Sequence, residues 1–126
     1  MTRDPQTELE SGVRILEPTL IPHGFVFSIR EVGLGSGGYY AFGEFFRDER
    51  SLFLHHRRGL GIIEYQVGDV LIDHAEYMKL LGVENQSDVL WMPLEAGADR
   101  YRALRSDLGA CLGNRPWLFV VATFSG

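Results

Sequence analysis

Between Tyr39 and Val67 the chain alternates side chains with a period of two in three successive stretches, and that pattern restricts the fold more than any other feature of the sequence. Aromatic and β-branched residues concentrate there, as they do in strands. In the first stretch Tyr39, Ala41, Gly43, Phe45 and Arg47 fall on one side of a strand, with Tyr40, Phe42, Glu44 and Phe46 on the other. Both sides carry aromatics. A sheet covered on one face would show a cleaner contrast, so either this strand is buried on both faces or its second face meets something outside the domain.

The next two stretches, Leu52–Arg57 and Leu60–Val67, read as a hairpin. A two-residue loop at Arg58-Gly59 puts Leu52, Leu54 and His56 on one face with Gly61, Ile63, Tyr65 and Val67. Phe53, His55 and Arg57 then share the opposite face with Leu60, Ile62, Glu64 and Gln66. A three-residue loop through Leu60 would set His55 beside Ile63 and Phe53 beside Tyr65, and a slip of one residue exchanges which histidine is buried. The two-residue loop is the better reading, because the aliphatic residues then meet and the charged ones collect on a face bearing His55, Arg57 and Glu64.

The rest of the chain supplies helices and further strands. Leu9, Val13, Leu16 and Leu20 form one face of an amphipathic helix within Thr2–Pro18 and its exit, with Gly12 weakening it and Pro18 ending or kinking it. Pro22-His23-Gly24 is a turn, and Phe25–Glu31 a strand with Phe25, Phe27 and Ile29 on one face. Val70–Ile72 is a short strand. Asp73-His74-Ala75-Glu76 has the form of a capping box opening a helix through Leu81, stopped by Gly82, with His74 exposed at its start. Ser87 caps one turn holding Val89, Leu90 and Met92. Ala98–Leu112 is a helix with Tyr101, Leu104, Leu108 and either Cys111 or Leu112 buried and Arg100, Arg102, Arg105 and Asp107 mostly outside. Gly113-Asn114-Arg115-Pro116 is its stop, and Trp117–Phe124, apolar on both faces, a final strand. The expectation is one α+β domain over 1–126: a mainly antiparallel sheet of about five strands, packed with an amino-terminal helix and carboxy-terminal helices.

Motifs that usually carry chemistry lack their contexts. Gly33-Leu34-Gly35-Ser36-Gly37-Gly38 fits the letters of a dinucleotide-binding loop, but a strand follows it where a phosphate-binding helix should. It reads as a flexible hairpin connection. Cys111 is the only cysteine, which excludes an internal disulfide and a cysteine-based metal site, and it reads as packing rather than a nucleophile. His55 and His56 point to opposite faces and no third ligand is suitably spaced, so neither metal nor cofactor is expected.

Net charge is −5, and basic residues gather only at His55-His56-Arg57-Arg58, which argues against nucleic acid. No apolar run approaches the length of a membrane span, and the amino terminus lacks a secretory pattern, so a cytoplasmic protein is expected.

The segment Gly35-Ser36-Gly37-Gly38-Tyr39, with Ala41, Gly43-Glu44-Phe45, Leu52–Arg57, Leu60-Gly61, Tyr65 and His74–Met78, resembles small bacterial cytoplasmic proteins of unassigned function. The resemblance covers about the middle third of the chain and implies no activity and no functional residue.

Two functional readings follow. The first is a non-enzymatic protein-interaction module, immunity-like in being small and acidic, with Tyr39, Tyr40, Phe42 and Phe46 as interface anchors and a protein partner or a second copy as its target. The second is a small-ligand binder or enzyme using His55, Arg57 and Glu64, in which His55 lies diagonal to Glu64 within reach of a hydrogen bond and Arg57 holds an anion. Concavity separates them: a cleft closed by the carboxy-terminal helix favours the ligand, a flat face rimmed by aromatics the partner.

Overall fold

The computed structural model describes residues 4–114 apart from 37, 81, 83, 84, 86 and 94–96, with the backbone alone for 91 and 110–114. Helix α1 (Pro5–Leu20) begins where Asp4 accepts hydrogen bonds from the Gln6 N–H and the Thr7 hydroxyl, with Pro5 at the first helical position. Leu9, Val13, Leu16 and Leu20 are all buried, as their spacing requires, and each contributes about 1.5–3 kcal/mol of burial. Pro18 sits in the last turn and has no N–H for the Arg14 carbonyl, yet the helix runs two residues past it and the Ile21 N–H still donates to the Glu17 carbonyl.

Strands β1 (Val26–Gly35), β2 (Gly38–Arg47), β3 (Arg50–His56), β4 (Leu60–Val67) and β5 (Val70–Asp73) form one antiparallel sheet in sequence order. Helix α2 (His74–Leu80) follows directly, with the Glu76 N–H donating to Asp73 Oδ1 at 2.8 Å and Gly82, at φ +75°, closing the end. A 3-10 turn at Val89–Trp91 follows Asp88, and the Ser87 Oγ just before it accepts from the Leu90 N–H. Helix α3 spans Ala98–Asn114, past the stop expected at Gly113. The strand expected at Trp117–Phe124 and the side chain of Cys111 lie outside the described residues.

All three helices pack on the sheet face that carries Ala41, Phe45, Leu52, Leu54, Ile63 and Tyr65. Tyr77 of α2 stacks on Tyr65 at 4.0 Å, and Tyr101 of α3 lies against Gly12 of α1 and hydrogen-bonds His56. No described helix covers the opposite face. The architecture is therefore two layers, with the core between them. Among the described residues no helix is long and apolar enough to cross a membrane.

The hairpin register is partly as expected. Leu52 pairs with Tyr65, Phe53 with Glu64 and Leu54 with Ile63, the alignment a two-residue loop gives. At the turn it slips: His56 pairs with Leu60 across a three-residue connection, and β4 carries an extra residue at Gly61–Ile62. The bulge is what lets Leu60 enter the core instead of facing outward beside Arg57.

The glycine-rich segment departs further. It is a hairpin connection, as expected, but the strands run into it: Gly33 and Gly35 are strand residues of β1, and Gly38, at φ +107°, pairs with Gly35 and opens β2. Gly33 faces Tyr40, whose hydroxyl would lie 2.9 Å from a Cβ there; Gly35 faces both Tyr40 and Arg57. The missing Cβ at Gly33 leaves space for Tyr40 to lie flat across β1.

Candidate functional site

The sheet face opposite the helices is built by the second set of alternating residues. Tyr40, Phe42, Glu44 and Phe46 come from β2, Phe53 and His55 from β3, and Ile62 and Glu64 from β4. The aromatics are half-buried, and Ile62 is 57% exposed. Phe42 ties the face together, stacked on His55 at 4.3 Å and tilted against Phe53 at 5.6 Å. The interface candidates divide. Tyr40, Phe42 and Phe46 lie on this open face, whereas Tyr39 lies on the helical side, exposed near Asp4 and Pro5 at the tip of the β1–β2 hairpin.

Charges on the open face are paired in small sets. Glu44 is only 7% exposed, between Phe42 and Phe46, and its carboxylate meets Arg30 Nε at 2.9 Å. Arg30 reaches it from the point where β1 slips by one residue against β2. Sequence reasoning gave neither Arg30 nor Phe53 a role here, although counting by two puts Arg30 on the side of Ser28, which pairs with Glu44, and Phe53 on the side of His55. What the slip displaces is Glu31, which counting by two would put on the helical side and which pairs instead with Phe42 on the open face.

The three weak catalytic candidates meet at one corner. His55 Nε2 lies 3.1 Å from Glu64 Oε1, across the diagonal. Arg57 sits in the turn after β3, its guanidinium 5.9 Å from the centre of the Tyr40 ring. Tyr40 in turn donates its hydroxyl to Glu31, and that bond, with the nearby carboxylate charge, raises its pKa. Tyr40, Phe42, His55, Arg57, Arg58 and Ile62 enclose an open cavity of about 350 Å³. It is not closed by α3, which packs on the other face.

The remaining titratable groups are buried between the layers. His74 is 3% exposed, correcting the expectation of an exposed helix start: its Nδ1 bonds the Tyr65 hydroxyl at 2.7 Å and its Nε2 lies 2.8 Å from Asp107 Oδ2. Asp107, expected outside, is 1% exposed and also accepts from the Ser87 hydroxyl and the Asp88 N–H. Burial acts to raise its pKa, but the bonds from His74, Asp88 and Ser87 outweigh that and hold it below the usual value. A serine, a histidine and an aspartate meet here, yet Ser87 bonds the carboxylate rather than the imidazole, so no base stands ready to activate the hydroxyl. The cluster fastens β4, α2, the 3-10 turn and α3 together. Arg100, also expected outside, is buried and donates to the carbonyls of Leu60, Val89 and Met92.

Among the described residues no group of three or more His, Cys, Asp or Glu side chains could hold a metal ion. No family model, curated protein or solved structure matches the chain.

Proposed function

We propose that this protein is a non-enzymatic interaction module, of the general kind that immunity proteins represent, and that it engages a protein partner through the open face of its sheet. The observation that carries this reading is the placement of Tyr40, Phe42, Phe46 and Phe53 together on the face no described helix covers. Aromatic side chains of this kind dominate interface energetics when a partner excludes water from them. The Arg30–Glu44 pair, between the edge strand β1 and β2, gives such a contact a polar point of registration, and the net charge of −5 steers a basic partner toward the molecule.

The cavity at the Arg57 corner supports a second reading, a small-anion binder in which His55 and Glu64 exchange a proton. It is the weaker of the two because the cavity is open and His55 is already paired. The test is to compare Phe42→Ser and Ile62→Asp with Leu80→Asp, which alters an exposed leucine on α2. All three are expected to fold, and only the first two to lose the partner from a complex isolated by size exclusion. Loss of the complex with Leu80→Asp alone would move the interface to the helical layer.

A further inference from the structure

The corner of the open face where β3 turns into β4 differs from the rest of the molecule in charge. In a chain of net charge −5, Arg57 and Arg58 stand side by side at the rim of one cavity. The carboxylates near them are already engaged: Glu31 takes the Tyr40 hydroxyl, Glu64 lies against His55, and Glu44 pairs with Arg30. Among the described residues neither arginine has an ion-pair partner. Two guanidinium groups thus stand at the cavity without an ion-pair partner among the described residues.

Arg57 is also positioned. Its guanidinium lies over the Tyr40 ring, 5.9 Å from the centroid, and one of its terminal nitrogens reaches across to the Gly35 position of β1. A guanidinium held by a ring face loses less freedom when it binds, and its planar fork matches a carboxylate. Phe42, stacked on His55, and the exposed Ile62 give the cavity an apolar side. A ligand fitting both parts carries an anionic oxygen pair at one end and an apolar group beside it.

We infer that this cavity receives an acidic side chain, flanked by an aromatic or aliphatic residue, from a segment of the protein partner. The inference rests on the sheet-face reading above and adds the chemistry of one contact within it. Elsewhere the acidic surface repels such a segment, so the corner fixes where along the partner the contact is made.

The test uses the full ¹⁵N-labelled chain and two capped peptides, Gly-Glu-Phe-Glu-Gly and Gly-Gln-Phe-Gln-Gly. The acidic peptide should shift amide signals confined to residues 40–42 and 55–62, and the neutral one should bind about tenfold more weakly, as the loss of a charge-assisted contact implies. The Arg57→Gln/Arg58→Gln variant, changed only at exposed positions, should lose that difference while its spectrum stays folded. Equal binding of the two peptides, shifts elsewhere, or tighter binding of a ten-residue oligothymidylate would overturn the inference. A partner complex lost with Phe42→Ser but unchanged in the double-arginine variant would overturn the carboxylate contact alone, whereas a complex unaffected by either would overturn the sheet-face reading with it.

Discussion

His74 Nε2 and Asp107 Oδ2 are 2.8 Å apart in space and 33 residues apart in sequence, and both groups are almost wholly buried. The carboxylate accepts from His74 on α2 and from Ser87 and Asp88 at the 3-10 turn, so it decides how α2 and α3 meet the sheet.

Replacing Asp107 with alanine leaves His74, Ser87 and the Asp88 N–H without their acceptor. The expected loss is about 3–5 kcal/mol, which is a large part of the stability of a domain this size. Ser87→Ala removes one donor to Asp107 and the acceptor of the Leu90 N–H and should cost less, about 1–2 kcal/mol. Urea unfolding of the two variants checks the order; similar small losses would mean that water replaces the carboxylate.

Gly12→Ala should destabilise the protein although alanine is the better helix former. A Cβ at position 12 would fall 2.4 Å from the Tyr101 ring, which its hydrogen bond to His56 keeps from swinging away. Helix propensity favours alanine by about 1 kcal/mol and overpacking opposes it by about 1–3 kcal/mol or more, so the net effect is a loss. A raised melting temperature would show that α1 and α3 can part.

Stability should rise with pH between about 4 and 6.5. Burial lowers the pKa of His56 to about 4 from an ordinary 6.5; its Nδ1 faces the Tyr101 hydroxyl and its unpaired Nε2 lies 3.9 Å from Glu8. In that window the unfolded chain binds the proton and the folded one does not, so acidification costs up to roughly 3 kcal/mol and the contribution is flat above it. Asp107, whose pKa is lowered, contributes stability that is present above the ordinary 3.8 and lost as pH falls through its folded value. Denaturant midpoints across pH for the wild type and His56→Gln measure this: the variant should have the shallower slope between 4 and 6.5.

Gly33→Val should leave the melting temperature within a few degrees while displacing Tyr40, because the ring lies on the half-exposed side of an edge strand. With Tyr40 moved, Arg57 loses the surface it rests on and acidic-peptide binding should weaken. Unchanged peptide affinity would separate the glycine pattern from the basic corner.

What could be read from the residues was whatever depends on near neighbours. The Leu9, Val13, Leu16 and Leu20 stripe, the Asp73 cap, the burial of His56 rather than His55, and the pairing of Leu52 with Tyr65 all follow from local periodicity. The slip at Gly61–Ile62 does not, since it arises where turn length and the burial of Leu60 conflict, although a glycine inside a strand is a signal for such a bulge. His74, Arg100 and Asp107 were misplaced for another reason: their burial is stabilised by partners 33, 40 and 33 residues away, which no window along the chain contains. At the site, His55, Arg57 and Glu64 were grouped correctly by position, but the cavity is also lined by Tyr40, which lies across Gly33 of the neighbouring strand.

The most direct test of the sheet-face reading is a photo-crosslinking map made in the cells the protein comes from. A photoreactive phenylalanine is placed in turn at Phe53 and Ile62 on the open face and at Arg102 and Arg105 on the exposed side of α3. Adducts to one distinct protein from positions 53 and 62, and none from 102 and 105, are the predicted result. Adducts from α3 alone, or from the open face only to another copy of this chain, would contradict a separate protein partner bound to the sheet.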